Sequence, residues 1–325
     1  MAGSSSHAAD VFETGRQHGA EGRFEEAVEA FDDLLARFGL STEPDVGVWI
    51  AEALICKSSA LRELHRHEES VAVVDGVVAR FAEADEPELR VRVARALVDQ
   101  ASALQELNRP EEAVGALDDL VERFGQTGDP ELRAHVVHAF FAKAMLLDRL
   151  ARVDDAVAAY DDALAYTCGE TDPTLRLVPG GALLLKGLML GRTSRTEEAV
   201  EAFDDLADRC GDADDPELRE LVANGLVNKG FALRELDRLD DALETYEEVV
   251  ARFGDGEELG LREHVAGALL EKGTVLSLLR RDAEAATVYD EVVERFGRSD
   301  EPTLVQRAEQ ARRSLRVVLG VEAAY

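Results

Sequence analysis

Apolar positions along the chain fall into two alternating helical patterns. From Asp215 onward an acid precedes a proline, and Leu218, Leu221, Val222, Leu226, Leu233 and Leu236 follow near the 3.6-residue period that lines one side of a helix. An acidic cap followed by proline in the first turn is how helices start. After the polar turn Asp237-Arg238-Leu239, a second stripe runs through Ala242, Leu243, Tyr246, Val249, Val250 and Phe253, and Gly254 ends it as a C-terminal glycine does. The first helix takes roughly 20 residues and the second roughly 14, so the first is about 30 Å long at 1.5 Å per residue. No run alternates with the period of a strand.

The pair recurs. Proline stands at Pro44, Pro87, Pro130, Pro173, Pro216 and Pro302, with Leu259 in the missing place, and the step is 43 residues. The same step carries Arg23, Arg66, Arg109, Arg152, Arg195, Arg238 and Arg281, and small residues from Ala27 to Ala285. A single hairpin cannot bury its own apolar face, whereas stacked hairpins bury one another's. The expected fold is therefore all-α: a solenoid of seven helix-turn-helix repeats over residues 11–301, with a capping helix over 302–320. Leu304, Ala308, Ala311, Leu315 and Val318 suit that cap. Residues 1–10 are expected to be disordered and 321–325 to be a tail. One unit breaks the rule near 177–194, where Pro179-Gly180-Gly181 interrupts a first helix. Proline removes a helical hydrogen bond and glycine weakens the helix, so a shortened or kinked helix is expected there.

The segment Leu226-x2-Lys229-Gly230-x2-Leu233, followed by Ala242-x3-Tyr246, resembles the tetratricopeptide repeat signature. Gly15, Gly187, Gly230 and Gly273 match its small packing position, with Ser58, Ala101 and Ala144 elsewhere. Phe31, Tyr160, Phe203, Tyr246 and Tyr289 match its second-helix aromatic, with Val74 and Leu117 substituting. The resemblance implies a right-handed superhelix whose first helices line a concave groove for peptides or partner proteins. Two departures stand out: a period of 43 residues where the family has 34, and glycines such as Gly39 and Gly125 in place of its terminal proline.

Comparing the copies with one another separates framework from variation. Lys57, Lys143, Lys186, Lys229 and Lys272 form a ladder on the first helices, and Asp32, Asp75, Asp118, Asp161, Asp204, Glu247 and Asp290 form one on the second. Part-buried ammonium groups need partners. Either the two ladders pair, or the lysines face an anionic ligand. At the groove-facing positions the central copies carry Phe141, Met145, Leu185, Leu188 and Phe231, bordered by His138, Asn224, Asn228 and Arg234. Apolar residues rimmed by polar ones mark a binding surface, unless the long helices rotate them into the core. These nine residues are the candidate partner-binding groove.

With 36 basic and 67 acidic residues the net charge is −31. This disfavours nucleic acid and anionic membranes and would attract a basic partner. The scattered Cys56, Cys168 and Cys210 suggest free thiols. With no secretion signal and no run of 18 apolar residues in sight, a cytoplasmic chain that spans no membrane is expected. His65, His67, His135 and His138 lack companions at metal spacing. No phosphate loop, nucleophile motif or distinguished carboxylate pair occurs. No catalysis, metal or cofactor is expected. The function read from the sequence is a protein-interaction scaffold; the alternatives are a self-associating solenoid (dimer or filament) or a ligand-responsive regulator.

Overall fold

The computed structural model describes residues 2–169, 172–211 and 214–320. Among these residues it holds fifteen α-helices, one 3-10 turn and no strand. First helices are α1 (Ala2–Ala20), α3 (Pro44–Glu63), α5 (Pro87–Glu106), α7 (Pro130–Arg149), α9 (Val178–Arg192), α11 (Pro216–Glu235) and α13 (Leu259–Leu278). Between them come α2 (Phe24–Phe38), α4 (His67–Phe81), α6 (Pro110–Phe124), α8 (Val153–Tyr166), α10 (Thr196–Cys210), α12 (Leu239–Phe253) and α14 (Asp282–Phe296), and α15 (Pro302–Val318) follows. The chain divides into two compact units, Met1–Asp162 and Ala163–Tyr325. Within the first, α1, α3, α5 and α7 pack in succession with α2, α4 and α6 between them; within the second, α9, α11, α13 and α15 do so with α10, α12 and α14.

The local sequence sets each helix end. The Asp129 and Asp215 carboxylates accept from the amides two and three residues on, at 2.9 and 3.2 Å in both cases, satisfying donors that have no partner within the helix. Each hairpin turn passes through one left-handed residue, from Gly22 and His65 to Ala151, Asp237 and Arg280, with φ between 56° and 74°. From the second repeat on, the arginine that follows it pairs with an acid three residues on, as Arg66 does with Glu69 and Arg238 with Asp241, whereas Arg23 pairs with Glu21. This pairing accounts for the recurring arginine. In the last turn of a second helix, Arg252 and Arg295 donate to the carbonyls of Gly211 and Gly254 at 2.8 and 2.6 Å. Each guanidinium thus caps the helix one repeat earlier, where carbonyls lack partners and the dipole is negative.

In four of the seven pairs, a second-helix ring lies on a first-helix glycine. A Cβ on Gly15, Gly187 or Gly273 would stand 2.6, 2.5 or 2.5 Å from the ring of Phe31, Phe203 or Tyr289. Gly230 is covered in the same way by Tyr246. Where the first helix carries Ser58 or Ala101, the ring gives way to the smaller Val74 or Leu117, both fully buried. Ser58 recovers its polarity by a 2.8 Å hydrogen bond to Ser70.

Three expectations are corrected. Residues 2–10, expected to be disordered, are helical: α1 starts at Ala2. Ala8 and Phe12 are buried, and the Phe12 ring lies 5.3 Å from that of Trp49. The serine-rich start hid a helical stripe of apolar residues. Met1 and the tail 321–325 lie outside the described residues. Second, Pro173–Arg192 is long and apolar enough, by composition, to cross a membrane. Its apolar residues instead serve two neighbours, because α9 packs against both α10 and α11. Third, the cap is helical to Val318 only, with a turn over Leu319 and Gly320. In the broken unit, a 3-10 turn at Pro173–Leu175 precedes an α9 of 15 residues, where α11 has 20. Pro179 sits in the first turn of α9, the one place where its missing N–H costs nothing. Gly180 faces Leu221 and Leu218, which a Cβ would meet at 3.2 and 3.3 Å. α15 occupies the register of a first helix but carries Arg316 where α13 carries Gly273.

Two substitutions test these contacts in urea denaturation. Ala151→Gly relieves a left-handed β-carbon and should stabilise by about 1 kcal/mol. Gly230→Val drives two methyl groups into the Tyr246 ring and should destabilise by about 2–3 kcal/mol.

Candidate functional site

One pocket recurs on the first-helix side. Its base is the second-helix ring position, one wall is the small packing residue and the residue a turn later, and the other wall comes from the next first helix. In the first unit it is formed by Gly15, Gly19 and Phe31 facing Cys56, Ser59 and Ala60, with a volume near 520 Å3. It reappears there at Ala101, Gln105 and Leu117 facing Ala142, Met145 and Leu146, at about 260 Å3. In the second unit it stands at Gly187, Gly191 and Phe203 facing Asn228, Phe231 and Ala232, at about 250 Å3. The positions correspond one to one across whole repeat lengths. Side-chain size at the second wall sets the volume: Ser59 in the largest pocket, Met145 or Phe231 in the others.

The candidate groove residues divide accordingly. His138, Phe141 and Met145 line the α5–α7 pocket; Leu188, Asn228 and Phe231 line the α9–α11 pocket. Met145 is 57% exposed, and the others are exposed or half-buried. Leu185, Asn224 and Arg234 are half-buried on the same helices without lining these pockets. The Asn228 amide donates to the Asn224 side chain at 2.7 Å and to its carbonyl at 2.9 Å. Arg234 pairs with Glu271 on α13, and its guanidinium lies 5.3 Å from the Phe231 ring centroid. Phe231 and Phe141 stand edge-on to Tyr246 and Tyr160 at 6.3 and 6.0 Å. The largest of these three pockets contains none of the nine. Its signal in the sequence is an absence of bulk, at Gly19, Cys56 and Ser59.

The two charge ladders pair with each other. Lys57, Lys143 and Lys229 meet Asp32, Asp118 and Asp204 at 2.5 Å, and Lys272 meets Glu247 at 3.0 Å. Gln100 takes the same place and donates to Asp75. Every bond joins a first helix to the second helix before it. The lysine row is therefore a fastening between repeats.

Burial shapes the titration of the first-helix face. The Cys56 thiol is pushed up to about 11 by burial, with Glu52 adding to this and Arg95 opposing it, so it stays protonated at neutral pH. Burial likewise raises Tyr246 and lowers His135 and His264, keeping the phenol and both imidazoles neutral. Asp99 is raised by burial against the pull of Arg95 and Arg62. One of its carboxylate oxygens has no hydrogen-bond partner among the described residues, and Arg62 stands 3.9 Å away.

The elements define a class, the helical-hairpin repeat, with pockets between successive first helices. The family model described as "Tetratricopeptide repeat" matches residues 98–173, 141–214 and 228–300, more than half of the chain. The chain belongs to the tetratricopeptide repeat family. No curated protein matches the sequence. Among solved structures, a tetratricopeptide repeat protein from Parabacteroides merdae is 12% identical, with 94% of this chain and 98% of that one covered and a TM-score of 0.45. The apo form of RapI is 13% identical, with 96% and 99% covered and a TM-score of 0.48. The TPR2AB domain of yeast Sti1, solved as a complex with pHSP90, is 15% identical, with 94% and 99% covered and a TM-score of 0.34.

Asp99 supplies a pH test. Its native pKa is raised, so its contribution to stability is most favourable below the ordinary carboxylate range and is lost as pH rises through the native value. At pH 7 the buried charge is a net cost. Asp99→Asn should be the more stable protein at neutral pH in thermal denaturation, with its advantage shrinking as the pH falls toward 4. An unchanged difference at both pH values would show that the ionised carboxylate carries no such cost.

Proposed function

We propose that this chain is a protein-interaction scaffold that holds a segment of a partner protein along the first-helix side, with apolar side chains of the partner seated in the recurring pockets. The observation that carries this reading is the recurrence itself. The packing positions stay small from copy to copy, as glycine, alanine or serine, while the pocket walls vary from Ser59 to Met145 to Phe231. A face that varies on a constant frame is what selective recognition of a partner requires. Membership of the tetratricopeptide repeat family supports the same reading, because in that family function is binding. Exposed Met145 adds an unbranched, polarizable contact that adapts to irregular surfaces.

Electrostatics favour a partner segment with basic flanks, since a net charge of −31 speeds encounter with a cationic surface. Binding is the work assigned to this face, with no proton or group transfer.

Met145→Asp and Phe231→Asp, combined, should abolish capture of a partner from the native cell extract while leaving the helical circular dichroism unchanged. The measurement is a pull-down of wild type against variant. Capture that survives both changes would remove the pocket face from partner recognition.

A further inference from the structure

Gly19 and Gly191 have no packing reason to be glycine. A Cβ at either would only touch the methyl group of Ala27 or Ala199, at an ordinary 4.0 Å. This differs from Gly15 and Gly187, whose place a ring occupies. Glycine inside a helix lowers its stability, and the other repeats carry Arg62, Gln105, Asp148, Arg234 and Ser277 at this position. Each lines a pocket, as Gln105 does at the same position in its own repeat. In the second unit Phe231 narrows that space, while in the first Ser59 and Cys56 leave it open at about 520 Å3, the range of small-molecule sites.

The chemistry of the open pocket is specific. The rings of Phe24 and Phe31 and the flat surfaces of Gly15, Gly19, Ala27 and Ala60 form an apolar slot that suits a planar ring. The charged residues of its lining are Arg16, Arg95 and Glu63, so bases exceed acids here in a chain where acids exceed bases 67 to 36. Arg95 shares the single carboxylate of Glu52 with Arg92, at 3.0 and 3.1 Å, and Arg16 is paired with Glu13. Neither Glu52 nor Glu13 lines the pocket.

We propose that the pocket between α1, α2 and α3 is a small-molecule site, and that it takes an aromatic ring carrying a carboxylate at its edge. The ring lies in the slot between Gly19 and Ser59, and the carboxylate is met by Arg95 and Arg16. This goes beyond partner binding, and its test needs no partner protein, so either can fail without the other.

The probe is 1-naphthoate, with neutral 1-naphthalenemethanol as comparison, followed by calorimetric titration and by the alkylation rate of Cys56, read by peptide mapping. Naphthoate should bind the wild type saturably and slow Cys56 alkylation at least five-fold, with the alcohol at least ten-fold weaker. Gly19→Gln, the residue found at Gln105, and Ser59→Phe, the residue found at Phe231, should each weaken naphthoate at least ten-fold. Arg95→Gln should bring the two probes to similar affinity. An unprotected Cys56 in millimolar naphthoate, naphthoate binding unchanged by both filling variants, or an alcohol that binds as tightly as naphthoate would each overturn the proposal.

Discussion

A large second-helix side chain pressed onto a small first-helix residue is the contact on which the helical pairs depend, and in four pairs that residue is glycine under a ring. Phe31 on Gly15, Phe203 on Gly187, Tyr246 on Gly230 and Tyr289 on Gly273 occupy space that a β-carbon would need. That contact fixes which faces point outward to the next pair. Val222, Leu226 and Leu233 of α11 are then fully buried between their own partner α12 and the preceding α10. Burial of such side chains contributes about 1.5–3 kcal/mol each, and it arises only when neighbours are present. The sequence step, the helix length and the stacking are consequences of one packing rule applied repeatedly.

Charge refines this frame without supplying it. The ladder lysines are about one fifth exposed and their acids about half exposed, so each bond adds at most about 1 kcal/mol. Their value is register. A lysine set among leucines meets an acid only if the following hairpin docks at the right height. The turn arginines and the arginine caps on preceding helices act in the same way. With these positions committed to packing and register, the residues between them on the first helices are free to vary, and the pockets are where they vary.

Much of the fold was legible in the sequence because apolar period, proline and glycine all reported on it together. Asp215-Pro216 marked a helix start, and Gly254 the position just past a helix end. The helical start of α1 was hidden because Ser4, Ser5 and Ser6 look like a linker by composition, and Ala8 and Phe12 are too few to reveal a stripe. The turn arginine was visible as a constant, but its cause was not, since an i to i+3 pairing needs the turn geometry. The candidate site was half legible. Large side chains such as Phe141 and Phe231 stand out in a register comparison, and they do line pockets. The most open of the three recurring pockets is made by Gly19, Cys56 and Ser59, and missing volume becomes visible only once the helices are placed around it.

The claim beneath all of this is that each hairpin is held by its immediate neighbours alone. Deleting residues 216–258 joins Asp215 to Leu259, sets α13 where α11 had been, and brings Lys272 to the place from which Lys229 reached Asp204. Hydrogen exchange of the shortened protein measures the claim directly. The account predicts unchanged protection in α3 to α7, with α9, α10, α13 and α14 protected as before. Loss of protection throughout the chain would show that the stacking depends on more than the next copy along.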